Sequence, residues 1–223
     1  MRGLYAIVDL GALGARRLDP VAFAAAVLRV GPAALQLRAK DLPAREVLSL
    51  LRELAPMCRR AGVPLVANDR PDLALLAGCD MVHVGQDDMP IERVRRITPG
   101  LGVGVSTHSL DQLGAALLTG PTYVALGPIF ETRSKSHPDP VVGIEVLRAA
   151  SVQAEAARVP LVAIGGITRE RAGDLVGLVD AVAVIGELLP SRTGSDGLRE
   201  VTSRAQAIHD LFAPAPVLAG AAR

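Results

Sequence analysis

The chain has 223 residues, half of them hydrophobic, with 24 basic against 23 acidic residues and a mean hydropathy of +0.34. Those figures exclude an intrinsically disordered chain, and the balanced charge argues against duplex nucleic acid as the main partner. Aromatics make up only 2% (three Phe, two Tyr, no Trp), so there is no stacking platform for single strands, and the apolar half is Ala, Val, Leu and Ile.

The opening MRGLYAIVDL passes straight into an apolar segment with no basic leader or cleavage site, and reads as a first strand. Further short apolar runs follow, giving predicted strands at 4–9, 34–38, 64–68, 81–84, 102–106, 123–127, 161–165 and 181–185. Several are almost continuously apolar, as parallel strands covered on both faces should be. No apolar run reaches the roughly 18 residues that a membrane span needs.

Helical patterns separate the runs. Val47, Leu50, Leu51 and Leu54 recur at helical spacing and form a stripe that would face a sheet. Ser109 with Gln112 fits a capping box, and Thr168 could cap a later helix. Eight strand–helix units predict an α/β fold, a single (β/α)8 TIM barrel over residues 1–213, followed by a tail at 214–223. An open doubly wound sheet is the alternative, but no GxGxxG follows the first strand. Cys58 and Cys79 lack CxxC spacing and are expected to be reduced, buried thiols of a cytoplasmic protein.

A barrel places its chemistry at the C-terminal rim of the strands. The second strand ends in LQLRAKD, where Gln36, Arg38 and Lys40 at alternate positions would share one face. Two cations at a barrel mouth ask for an anion, most simply a phosphate or pyrophosphate. The third strand ends in Asn68 and Asp69, and the loop after the fourth carries Asp87 and Asp88. Asp69 and Asp88, on adjacent strands, could share one Mg²⁺ with substrate and water. Alternatively Asp69 pairs with Arg70, and Asp87 and Asp88 merely begin a helix.

The loop from Pro128 to about Val142 is long and carries Thr132, Ser134 and Lys135, which suit an oxyanion beneath a lid. Gly165, Gly166 and Gly186 follow the last two strands, where backbone N–H groups can approach a phosphate. Of the histidines, His83 reads as core or supporting, His108 as structural, His137 as part of the long loop and His209 as surface. No Ser–His–Asp set and no His/Cys metal spacing appears, which leaves nucleophilic hydrolysis and zinc chemistry without support.

Taken in order, QLRAKD, ANDRPDLAL, VHVGQDD, GVSTHS, GPIFETRSK, VVGIEVL and VAIGGIT resemble the thiamin-phosphate synthase family, from about Tyr5 to Leu189. The resemblance implies a Mg²⁺-dependent barrel that joins hydroxymethylpyrimidine pyrophosphate to hydroxyethylthiazole phosphate by dissociative loss of pyrophosphate. It further implies that Arg38, Lys40, Asn68 and Lys135 hold the pyrophosphate, with Asp69 and Asp88 on the metal. Gln36 and Ser106 would contact the pyrimidine. Thr132, Ser134, Gly166, Ile185 and Gly186 would receive the thiazole phosphate. The partners implied are small molecules, with no nucleic acid and no membrane.

Two positions depart from the family pattern: Ala39 stands where Glu is usual, and Gly186 where Ser is usual. The related thiazole tautomerases lack the Mg²⁺ carboxylates and carry His at the place of Pro128, whereas Asp69, Asp88 and Pro128 are all present here. A non-catalytic barrel that binds the same phosphates would be expected to lack a leaving-group residue, and none is missing.

Overall fold

The computed structural model of the protein describes residues 1–132 and 139–213. Ser134, Lys135, His137 and the tail at 214–223 lie outside the described residues.

The chain begins with β1 (Gly3–Asp9), α1 (Leu10–Gly14), α2 (Pro20–Leu28), β2 (Ala34–Arg38) and α3 (Ala44–Ala61). It continues through β3 (Leu65–Asn68), α4 (Pro71–Ala77), β4 (Met81–Val84), α5 (Ile91–Ile97), β5 (Gly102–Thr107) and α6 (Leu110–Leu118). Then come β6 (Tyr123–Leu126), α7 (Ile144–Ala157), β7 (Leu161–Ile164), α8 (Arg169–Gly173), β8 (Ala181–Val184) and α9 (Gly194–Leu211). The strands are parallel and close in chain order, β8 pairing with β1. The closed barrel removes the open-sheet alternative.

Alternation along the strands divides the apolar residues into two layers. Leu4, Ala6, Val8, Leu35, Leu37, Val82, Val84 and their counterparts face outward and meet the helices in one core. Tyr5, Ile7, Ala34, Val66, Met81, Tyr123, Ala125, Val162, Ala181 and Ala183 fill the barrel interior. The aromatic scarcity therefore has a location: both tyrosines of the chain sit inside the barrel, among small side chains that leave them room.

The helix that carries the predicted stripe is α3, which buries Val47, Leu51, Leu54, Ala55 and Cys58, with Leu50 only half-buried. Ser109 caps α6 by accepting from Gln112 N, and Thr168 caps α8 through Arg171 N. Gln112 reaches back one residue further than a capping box requires, its Oε1 accepting from His108 N at 2.7 Å. At the opposite end of the barrel, Asp80 and Asp180 each accept from the first N–H of the preceding strand, Leu65 and Leu161, both at 2.8 Å. Both cysteines are free and buried, and burial pushes each thiol up to about 12. No helix among the described residues is long and apolar enough to cross a membrane.

Candidate active site

The strand ends at the C-terminal rim carry two polar networks, one charged and one neutral. The charged one starts at Asp9, the last residue of β1. One carboxylate oxygen caps α1 at Ala12 N (2.8 Å), and the other binds the Arg38 guanidinium. Asp9 and Arg38 are register partners across β1 and β2, so the pair is fixed by the sheet itself.

β2 stops at Arg38, which leaves Lys40 in the following loop with its side chain about half exposed. That end matches the predicted strand, but the expectation that Lys40 shares one strand face with Gln36 and Arg38 is corrected: Ala39 and Lys40 have already left the ladder. Lys40 still turns toward the site, its Nζ 3.6 Å from Asp69 Oδ2. Asp69 takes a left-handed backbone conformation (φ 62°), which Asp tolerates better than most residues, and its N–H donates to His83 O at 2.8 Å.

That conformation brings the Asp69 carboxyl against Asp88. Burial first, and then the hydrogen bond and like charge of Asp88, push Asp69 up to about 6, against the pull of Lys40 and Arg38. The alternative of Asp69 pairing with Arg70 fails, since Arg70 binds Asp72 at 2.5 and 2.8 Å. Nor does Asp88 begin a helix: its Oδ2 accepts from Gly85 N at 2.7 Å, and α5 starts at Ile91. Asp87 is exposed.

Two carboxylates held together at a protonation cost suit a shared divalent cation. Among the described residues no group of three or more His, Cys, Asp or Glu could hold a metal. Two protein oxygens completed by water and substrate is a donor set that fits Mg²⁺.

The neutral network crosses the barrel interior. Gln36 Nε2 donates to Tyr5 Oη at 3.0 Å, and Tyr5 Oη lies 2.7 Å from Tyr123 Oη. Tyr123 Oη lies 2.9 Å from His83 Nδ1, and His83 Nε2 lies 2.7 Å from Ser106 Oγ. Gln86 Nε2 donates to the Ser106 carbonyl at 2.5 Å and steadies the last link. Gln36 and Ser106, singled out separately in the sequence, are thus the two ends of one hydrogen-bonded chain. His83 is its fourth member, in keeping with the supporting role read for it.

Gly104 makes that passage possible. It stands between His83 and Tyr123 in the β4–β5–β6 register, and a Cβ there would lie 2.0 Å from Tyr123 Cζ. The two rings it leaves room for stack with centroids 5.6 Å apart.

The glycines after β7 have a tighter packing role than the sequence suggested. At Gly165 (φ 100°) a Cβ would meet Pro128 at 2.4 Å, and at Gly166 (φ 63°) the Glu131 carbonyl at 2.2 Å. The loop after β6 lies on them, Phe130 N donating to Gly165 O at 3.1 Å. Arg171 then covers the Phe130 ring at 4.8 Å and donates to Gly166 O at 2.7 Å. Phe130 is thus a packing residue beneath that guanidinium.

Gly186 differs: its φ is ordinary and nothing lies within 4 Å of an added Cβ. It opens a short 3-10 turn after Ile185, on the strand next to β7. Thr132 is the last described residue before the gap. Asn68 ends β3 opposite His83.

His108 binds the Gly127 carbonyl through Nδ1 at 2.5 Å and lies 3.6 Å from Asp139, tying β5 to the loop after β6. His209 is not a surface residue. It is half-buried beside Gly3, and its Nδ1 is shut in with no hydrogen-bond partner among the described residues. Asp9, Tyr5 and Tyr123 are the residues that the sequence reading missed.

Comparison with known proteins places the same rim in context. Residues 4–188 match the family model described as thiamine monophosphate synthase. A thiamine-phosphate synthase of Koribacter versatilis (strain Ellin345) is 44% identical over 205 residues, covering 88% of this chain and 94% of that protein. One from Roseiflexus sp. (strain RS-1) is 43% identical over 189 residues, covering 82% and 78%. Among solved structures, thiamine phosphate pyrophosphorylase from Pyrococcus furiosus superposes with a TM-score of 0.78 at 32% identity, covering 94% of each chain.

Proposed function

The chain belongs to the thiamine monophosphate synthase family, an enzyme family of thiamin biosynthesis, and on that footing we propose the reaction, substrates and residue roles of this transferase. It joins hydroxymethylpyrimidine pyrophosphate to hydroxyethylthiazole phosphate, giving thiamin phosphate and pyrophosphate. The observation that carries this reading is the charged cluster: Arg38 and Lys40 beside the Asp69–Asp88 carboxylates, at the same rim as Gln36 and Ser106.

Bond cleavage comes first. The methylene C–O bond breaks with its electron pair on the departing pyrophosphate, and the lone pair of the thiazole nitrogen then forms the new C–N bond. No proton is abstracted, so the site needs no strong base or nucleophile. It needs the leaving group's charge neutralised and the acceptor held in line.

Arg38, Lys40, Asn68 and Lys135 hold the pyrophosphate. Gln36 and Ser106 orient the pyrimidine edge. Thr132, Ser134 and Gly166, with the backbone at Ile185 and Gly186, take the thiazole phosphate, and the missing hydroxyl at Gly186 leaves its N–H available. Asp69 and Asp88 would hold Mg²⁺, which when bound offsets negative charge on the leaving group. The contact between those two carboxylates, together with Pro128, favours this reaction over thiazole tautomerisation. Two free, buried thiols suit a reducing cytoplasmic compartment.

The test is direct. Purified protein is mixed with both substrates and Mg²⁺, and thiamin phosphate is followed by chromatography. Formation of thiamin phosphate is expected. Absence of product from folded protein that binds both ligands would overturn the reading.

A further inference from the structure

The neutral chain through the barrel has a direction, and its direction links its two ends. Each interior hydroxyl owns one proton. Tyr5 receives the Gln36 N–H, so its own proton passes to Tyr123, and the Tyr123 proton passes to His83 Nδ1. His83 then carries its ring proton on Nε2 and gives it to Ser106 Oγ. The Ser106 proton is left to point out of the chain, and at the far end the Gln36 Oε1 is left as an acceptor. Both phenols keep their protons, because burial raises their pKa far above the ordinary value.

For a His83 ring that carries a single proton, only one other arrangement leaves each of these links satisfied. In it the Gln36 amide flips, every hydroxyl reverses, His83 carries its proton on Nδ1, and Ser106 spends its proton on His83. A partial reversal sets two donors or two acceptors face to face among buried groups, which is costly. We propose that Tyr5, Tyr123 and His83 are positioning residues that form a polarity lock, making Gln36 an acceptor and Ser106 a donor toward the ligand together. The ligand edge so selected offers a donor to Gln36 and an acceptor to Ser106.

Resting on the function proposed above, that edge is the exocyclic amine and a ring nitrogen of the aminopyrimidine. An oxo-pyrimidine, whose ring nitrogen carries the hydrogen and whose exocyclic oxygen accepts, inverts both. The lock therefore works against it at both ends.

Two measurements separate the lock from the substrate reading. In ligand-free, ¹⁵N-labelled protein, ring nitrogen–hydrogen correlations should show His83 protonated on Nε2 alone, and a ring protonated on Nδ1 overturns the proposal. Calorimetry then compares the hydroxymethylpyrimidine monophosphate with its oxo counterpart, neither of which carries the pyrophosphate leaving group. Wild type should favour the amino compound on the order of 10²-fold or more.

Tyr123→Phe touches neither Gln36 nor Ser106, yet the ratio should fall to within about tenfold, the scale of a single released hydrogen bond. Tyr5→Phe should do the same and serves if Tyr123→Phe does not fold. A ratio unchanged in a folded variant overturns the coupling. If wild type binds neither monophosphate, the substrate reading fails, and the ring tautomer decides the lock by itself.

Discussion

Asp9 and Arg38 face one another across the first two strands, and the one carboxylate both caps a helix and holds the guanidinium at the barrel mouth. Asp9 is almost wholly buried and Arg38 about four-fifths so, which makes each the counter-ion of the other. Under the proposed function, Arg38 would meet an incoming pyrophosphate with its fork already aimed, and Asp9 would supply that aim without touching substrate.

Asp9→Asn keeps an oxygen for Ala12 N and removes only the charge. The buried guanidinium loses its counter-ion, at a cost of about 2–3 kcal/mol once its partial exposure is allowed for. Thermal or urea unfolding should report that loss, and kcat/KM should fall by about tenfold or more as Arg38 loses its fixed position. An unchanged melting temperature together with unchanged kinetics would remove Asp9 from the positioning role.

The carboxylate pair predicts a pH effect with a definite sign. Asp69 stands at about 6 in the folded protein against 3.8 for a free side chain. Between those values the folded state holds a proton that the unfolded state lacks. Stability therefore falls as pH rises from about 4 to about 6, by on the order of 1–2 kcal/mol, and the penalty is complete above that range. Asp88→Asn should flatten this segment in the variant's own curve, so that the slope appears in the wild-type-minus-variant difference. Mg²⁺ at pH 7.5 should raise the melting temperature of wild type and raise that of the variant much less. Equal Mg²⁺ responses would remove Asp88 from the ligand set.

Lys135 lies outside the described residues, and its proposed role rests on the loop motif. Losing one preorganised charge contact to a leaving group costs on the order of 10²-fold in kcat. Lys135→Ala should show that loss while the KM for thiazole phosphate stays close to wild type. Turnover near the wild-type rate would end the leaving-group role.

Strand positions were readable because buried parallel strands announce themselves as apolar runs, and all eight predicted strands overlap observed ones. The carboxylates and Arg38 were readable because charge at a strand end has few structural explanations. Asp9 was not, since its meaning depends on the β1–β2 register, which no local pattern encodes. Tyr5 and Tyr123 were hidden inside apolar runs, where a phenol counts as one more hydrophobe. A usable signal existed: they are the only tyrosines in the chain, both on strands, with Gly104 on the strand beside one of them. Gly165 and Gly166 were read as anion cradles from their position after a strand. The preceding loop rests on them, a contact between separate loops that no local pattern encodes.

Glycines at this barrel's strands and rim are therefore not equivalent, and substitution should separate them. At Gly104 a methyl group would overlap the Tyr123 ring at 2.0 Å, inside a barrel with little room to shift. Gly104→Ala should cost about 3 kcal/mol or more and displace Tyr123 from His83. At Gly186 nothing lies within 4 Å and the backbone is unstrained. Gly186→Ser should therefore change stability by no more than about 0.5 kcal/mol, while adding a hydroxyl beside the proposed thiazole phosphate. Urea unfolding and the KM for thiazole phosphate read the two effects, with a lowered KM expected for Gly186→Ser. If Gly104→Ala were as stable as wild type, the tyrosine-centred interior described for this barrel would be wrong. If Gly186→Ser were to weaken thiazole phosphate binding, that turn would not be where the phosphate sits.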